Sequence, residues 1–140
     1  MRKKILVLED DPVQADWIVE LIGREFPDAD LKLLESESEF VRFVRTEISQ
    51  WQPDCALLDV LIHYYSIDDL EREPEISFDH LQPFSEAGFR CAGLLQERVP
   101  DCRITLMTVM DQPTTQFPVL QKGADGFKSR ILSFIAGGKE

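Results

Sequence analysis

The feature that most constrains this chain is the alternation of short, wholly apolar runs with longer segments of helical period. Ile5-Leu6-Val7-Leu8 is bounded on both sides by charge, as a strand buried on both faces requires. From Pro12 to Phe26 the residues Val13, Trp17, Leu21 and Ile22 recur at helical spacing, with Asp10 or Asp11 as cap and Pro12 at the first position. Leu31 to Leu34 reads as a second strand, and Phe40, Val41, Val44 and Ile48 line a second helix. Cys55-Ala56-Leu57-Leu58, introduced by Pro53 and ending at Asp59, is a third buried strand. Strand and helix alternate about five times. That pattern predicts an α/β doubly wound parallel sheet with helices on both faces, whose ligands bind at the carboxyl ends of the strands.

Regularity lapses from His63 to Phe84, an acidic stretch holding Pro74 and Pro83. A helix resumes from Ser85 to Arg98, with Phe89, Ala92 and Leu95 inward, and Ile104 to Met107 is a fourth strand closed by Thr108. The helix due between Asp111 and Lys122 is interrupted by Pro113 and Pro118, leaving a turn near Val119 and Leu120. Gly123 to Ser129 is read as a turn and fifth strand, and Ile131 to Ala136 as a helix stub ended by Gly137-Gly138. The fourth and fifth helices are thus expected to be short or irregular. No internal repeat and no linker divides the 140 residues, which read as one domain, 1–140, with an acidic insertion at about 63–84.

Charge narrows the function. The net charge of −11 repels phosphate backbones and anionic lipid heads, which argues against nucleic acid and membrane as partners. No run approaches a membrane span, and the apolar run after Lys3-Lys4 is too short for a signal core. Cys55, Cys91 and Cys102 show no zinc spacing and read as reduced, mostly buried thiols of a cytoplasmic protein. His63 and His80 match no ligand pattern, and Trp17 and Trp51 read as packing residues.

The strand ends carry the chemistry. Glu9 and Asp10 follow the first strand, Asp59 the third, Thr108 the fourth, and Lys128 and Arg130 stand near the end of the expected fifth. Three carboxylates converging on one pocket must raise their pKa values or hold a cation. A hard divalent ion fits, Mg²⁺ above all.

These residues resemble the response-regulator receiver domains of two-component and phosphorelay signalling, the CheY-like superfamily. The resemblance rests on Ile5-Leu6-Val7-Leu8-Glu9-Asp10, Leu57-Leu58-Asp59-Val60, Leu106-Met107-Thr108 and Gly123-Ala124-Asp125-Gly126-Phe127, in that order and with the usual spacing from Thr108 to Gly123. It covers nearly the whole chain outside the acidic insertion. It implies a flavodoxin-like sheet of order 2-1-3-4-5. It implies Asp59 as phosphoacceptor, Mg²⁺ held by Glu9, Asp10, Asp59 and the backbone carbonyl of Leu61, and Thr108 and Phe127 as switch residues. The implied partners are a histidine kinase or histidine phosphotransfer protein and an unidentified downstream protein. The implied role is signalling by protein–protein contact, not that of an enzyme beyond self-catalysed phosphorylation and dephosphorylation.

The departures point to a second reading. The family's Lys near the end of the fifth strand falls on Arg130, followed by Ile131 instead of a cis Pro, with Lys128 two residues earlier as a substitute on the same face. Val109 is bulkier than the family's small residue and is expected to narrow access to Asp59. A degenerate receiver, binding protein without phosphorylation, is the alternative. A haloacid-dehalogenase-type phosphatase needs a second acid where Leu61 stands, a flavodoxin needs a hydroxyl-rich loop where Glu9-Asp10-Asp11 stands, and nucleotide-binding loops need glycines this chain lacks. The sequence leaves the oligomeric state open.

Overall fold

The computed structural model describes residues 2–60, 87–109 and 115–137. The insertion at 63–84, with His63, Tyr64, Tyr65 and His80, lies outside the described residues, as do the Leu61 carbonyl and Pro113. The described elements are β1 (Lys4–Leu8), α1 (Pro12–Glu25), β2 (Asp30–Leu34), α2 (Glu37–Thr46), β3 (Cys55–Asp59), α3 (Ala87–Arg98), β4 (Arg103–Thr108), β5 (Val119–Gln121) and α4 (Phe127–Ala136). The strands form one five-stranded parallel sheet of order 2-1-3-4-5, the flavodoxin-like arrangement expected.

Alternation of side chains along each strand sorts the core into two layers. Leu6, Leu8, Ala56, Leu58 and Leu106 pack with Phe40, Phe43, Val44 and Leu95 under α2 and α3. Ile5, Val7, Cys55, Leu57 and Met107 pack on the other face with Ile18, Leu21, Ile22, Ile131 and Phe134 of α1 and α4. The apolar runs are unbroken because both faces of the central strands are covered.

The helix ends follow local chemistry. Asp11 caps α1, its side chain accepting the Val13 amide at 3.0 Å, with Pro12 at the first position. This choice between the two adjacent acids leaves Asp10 for the strand end. Ser36 caps α2 by accepting the Glu39 amide, while the Glu39 carboxylate accepts the Glu35 amide at 2.7 Å. The carbonyls of Phe134 and Ile135, at the end of α4, accept hydrogen bonds from Arg103 and Lys3.

Two expectations are corrected. The fifth strand is not at Gly123–Ser129: it is Val119–Gln121, where a helical turn was expected. Phe127, Lys128 and Arg130 belong to α4, a ten-residue helix rather than a stub. The physical reason is periodic. Phe127, Ile131, Phe134 and Ile135 fall at helical spacing and are all buried, whereas Val119 and Leu120 follow Pro118 as Cys55 and Ala56 follow Pro53. Of the β4–β5 connection, the described residues Val109 and 115–118 contain no helix.

Gly88 marks where α3 meets β3. A Cβ added there would lie 2.4 Å from the Asp59 carbonyl oxygen and 2.5 Å from the Val60 Cα, so only glycine fits. Gly93, mid-helix, has nothing within 4 Å of its added Cβ. Gly88→Ala is therefore expected to destabilise the protein by about 3 kcal/mol, and Gly93→Ala to stabilise it by about 0.5–1 kcal/mol; urea unfolding of the pair separates close approach from general helix propensity. All three cysteines are free. Burial pushes the Cys55 thiol up to about 11 and Cys102 to about 12, and raises Cys91 as well. An unfolded thiol releases its proton first, near its ordinary 9.0, so the unfolded state binds fewer protons above that pH. Stability is expected to be unaffected by these thiols below pH 9 and to fall from pH 9 toward 11, and a pH series of urea midpoints against a Cys55→Ala, Cys102→Ala variant reads their share.

Candidate functional site

The sheet converges its charge at one end. Glu9 directly follows β1, and its amide donates to the Leu34 carbonyl at 3.0 Å, which holds it against the end of β2. Asp59 is the last residue of β3, and Thr108 the last of β4. Glu9, Asp59 and Thr108 are all buried, while Asp10 is half-buried. One carboxylate oxygen from each of Glu9, Asp10 and Asp59 lies within 4.8 Å of the others. Two unit charges at that separation repel by about 3 kcal/mol at an effective dielectric of 20, so the cluster needs a proton or a cation among them.

The structure supplies a cation that the sequence reading missed. Lys122, directly after β5, donates from Nζ to Glu9 Oε1 at 2.6 Å and to Asp59 Oδ2 at 2.8 Å. Its amide donates to the Thr108 carbonyl at 2.9 Å, which fixes it at the carboxyl end of the sheet. Burial opposes the charge on Lys122, but the hydrogen bonds and charges of Asp59 and Glu9 outweigh it and raise the ammonium pKa. Glu9 is pushed up to about 8, chiefly by burial and then by the hydrogen bond and charge of Asp59; Lys122 pulls the other way. A carboxyl raised this far, by burial first and a neighbouring acid second, is the kind of perturbed group that collects at functional sites.

The expected residues divide. Glu9, Asp10 and Asp59 come together, with Thr108 at the end of the strand beside Asp59. Lys128 and Arg130 do not join them: both are exposed on α4, and Lys122 occupies the position assigned to them. Phe127 is also off the sheet. It is buried at the first position of α4 and its ring stacks on Trp17 at 5.9 Å. The β5 neighbours of Thr108 are Gln121 and Lys122. Val109 is 66% exposed. The signal for Lys122 was present in the sequence as Val119-Leu120 introduced by Pro118. The Gly-Ala-Asp-Gly-Phe match drew the strand past Gly123 instead.

No family model and no curated protein matches the chain. Solved structures do. A response-regulator receiver domain protein from Bacillus halodurans superposes with a TM-score of 0.64 at 15% identity, over 100% of this chain and 99% of that one. A CheY-like receiver domain protein from Methanospirillum hungatei gives 0.65 at 14% identity, over 98% and 93%. The BeF3-activated DrrB receiver domain gives 0.59 at 14% identity, over 98% and 97%. With the sheet order and the four described helices, these likenesses show that the chain has the fold of the response-regulator receiver domains.

Proposed function

We propose that this chain is a phosphoacceptor receiver domain of the cytoplasm, in which Asp59 accepts a phosphoryl group from a phosphohistidine. The observation that carries the reading is the convergence of Glu9, Asp10 and Asp59 within 4.8 Å, with Lys122 bonded to two of them. The donor set is all hard oxygen with net negative charge, which suits Mg²⁺. Glu9, Asp10 and Asp59 would hold it, with the Leu61 carbonyl as the further ligand the resemblance implies. A bound Mg²⁺ supplies neutralisation of the incoming phosphoryl oxygens.

The chain's own residues do the remaining work. An Asp59 carboxylate oxygen attacks phosphorus in line, and an O–P bond forms as the P–N bond breaks. The bonding pair returns to the imidazole, which leaves neutral once its other nitrogen carries a proton. Lys122 keeps a positive charge beside Asp59, and the Thr108 hydroxyl donates to a phosphoryl oxygen. The donor is a histidine kinase or a histidine phosphotransfer protein. The acyl phosphate then changes the surface offered to a downstream protein, so the chain is a signalling module and not an enzyme of turnover.

A second reading has one observation in its favour. The described residues of the β4–β5 connection, Val109 and 115–118, contain no helix, in keeping with the interruption expected from Pro113 and Pro118. A degenerate receiver would bind its partner without phosphate.

Intact mass after incubation with acetyl phosphate or a phosphohistidine donor decides between them. A gain of one phosphoryl group that requires both Mg²⁺ and Asp59, lost in Asp59→Ala, is the expected result. No gain from either donor supports the degenerate module. Lys122→Met is expected to cost about 3 kcal/mol in urea unfolding with EDTA present, because it leaves buried acids without their cation. Added Mg²⁺ is expected to narrow that gap, and phosphorylation of the variant to be slowed even when saturated with Mg²⁺.

A further inference from the structure

Lys122 ties Glu9 to Asp59 from the β5 side of the pocket. A second tie runs between α2 and α3, through an ion pair that the proposed chemistry does not use. Arg90, in the first turn of α3, donates from Nε to Glu37 Oε2 and from an NH2 to Glu37 Oε1, both at 2.6 Å. The pair is bidentate, with the Glu37 side chain 5% and the Arg90 side chain 29% exposed, so the fork fixes its geometry.

Its two ends lead to the two acids. Glu37 opens α2, three residues beyond Leu34, whose carbonyl accepts the Glu9 amide. Arg90 lies two residues beyond Gly88, whose amide donates to the Val60 carbonyl at 3.0 Å and whose Cα rests on the Asp59 peptide. The path Glu9–Leu34–Glu37–Arg90–Gly88–Asp59 is a brace made of two backbone hydrogen bonds, the entry to α2, the first turn of α3 and one fork. Neither Arg90 nor Glu37 belongs to the acid cluster.

We infer that the Arg90–Glu37 fork sets the separation of the Glu9 and Asp59 carboxylates, and so the size of cation the pocket accepts. Both are positioning residues that act through the backbone at Leu34 and Gly88. The inference rests on the receiver reading for the presence of a cation. The physical basis is that Mg²⁺ demands ligands at 2.0–2.1 Å in near-ideal octahedral geometry, whereas Ca²⁺ tolerates 2.3–2.6 Å and irregular shells. A loosened brace therefore penalises the smaller ion.

The test is calorimetric titration of Mg²⁺ and of Ca²⁺ into the wild type, Arg90→Lys and Glu37→Gln. Arg90→Lys keeps the charge and loses the fork. Mg²⁺ affinity is expected to fall about tenfold, the scale of lost supporting contacts at metal sites, while Ca²⁺ affinity falls much less. Equal losses for both ions, or no loss, overturn the inference. Should Arg90→Lys fail to fold, Glu37→Gln, which preserves shape, carries the same comparison. A wild type that takes neither ion defeats the receiver reading instead. Amide exchange at Gly88 and Glu9 then decides the brace: faster exchange at both in the variants supports it, and unchanged exchange overturns it.

Discussion

The central strands of a sheet covered by helices on both faces have nowhere to put charge except their two ends, and the candidate site follows from that restriction. The four-residue cores of β1 and β3 are buried on both sides, so every polar group they carry is deferred to the residue after the last apolar one. At the carboxyl end this places Glu9, Asp59 and Thr108 side by side. At the amino end it places Asp54, which accepts the Lys4 amide, and the pair Lys3 and Arg103, which hold the end of α4. The two ends differ in sign. The amino end sets cations against helix carbonyls and is electrostatically satisfied. The carboxyl end crowds three acids within 4.8 Å of one another beside Lys122.

That crowding of acids sets this cluster apart from the surface ion pairs. Arg2 and Asp30, or Lys32 and Glu47, are single pairs with solvent to screen them. Glu9, Asp10, Asp59 and Lys122 are a buried or half-buried set, with three carboxylates within 4.8 Å of one another.

Most of the fold was legible because continuous apolar runs and helical stripes are distinct patterns. β1 to β4 and α1 to α3 fall where those patterns put them, within a few residues at the ends. The acid cluster was legible for the same reason: an acid that ends a buried strand must sit at the sheet's carboxyl end. The failure lies between Val119 and Arg130. A three-residue edge strand has too few positions to show a period, and Pro118 beside it reads equally as a broken helix. The glycine-rich Gly123–Phe127 segment was read as the turn before a strand, but Gly126 has φ of +84° and opens a helix. Misplacing that strand moved the pocket cation from Lys122 to Lys128 and Arg130. The bracing pair was not legible, because Glu37 and Arg90 are brought together only by the packing of α2 against α3.

The grip of Lys3 on the Ile135 carbonyl joins residues 132 positions apart in the chain. Arg103 reaches the same helix end from the start of β4. Closing so long a loop costs chain entropy that is not recovered until α4 docks on β1 and β4 together. The order of assembly is thereby biased: the neighbours β1, β2 and β3 can pair before the final helix exists, and the amino end of the sheet is sealed last. During synthesis from the N-terminus, α1 covers only part of the sheet face that carries Ile5, Val7 and Cys55, and the rest stays open to solvent until Ile131, Phe134 and Ile135 emerge. The interval in which this chain is open to aggregation is thus set by the arrival of its last helix.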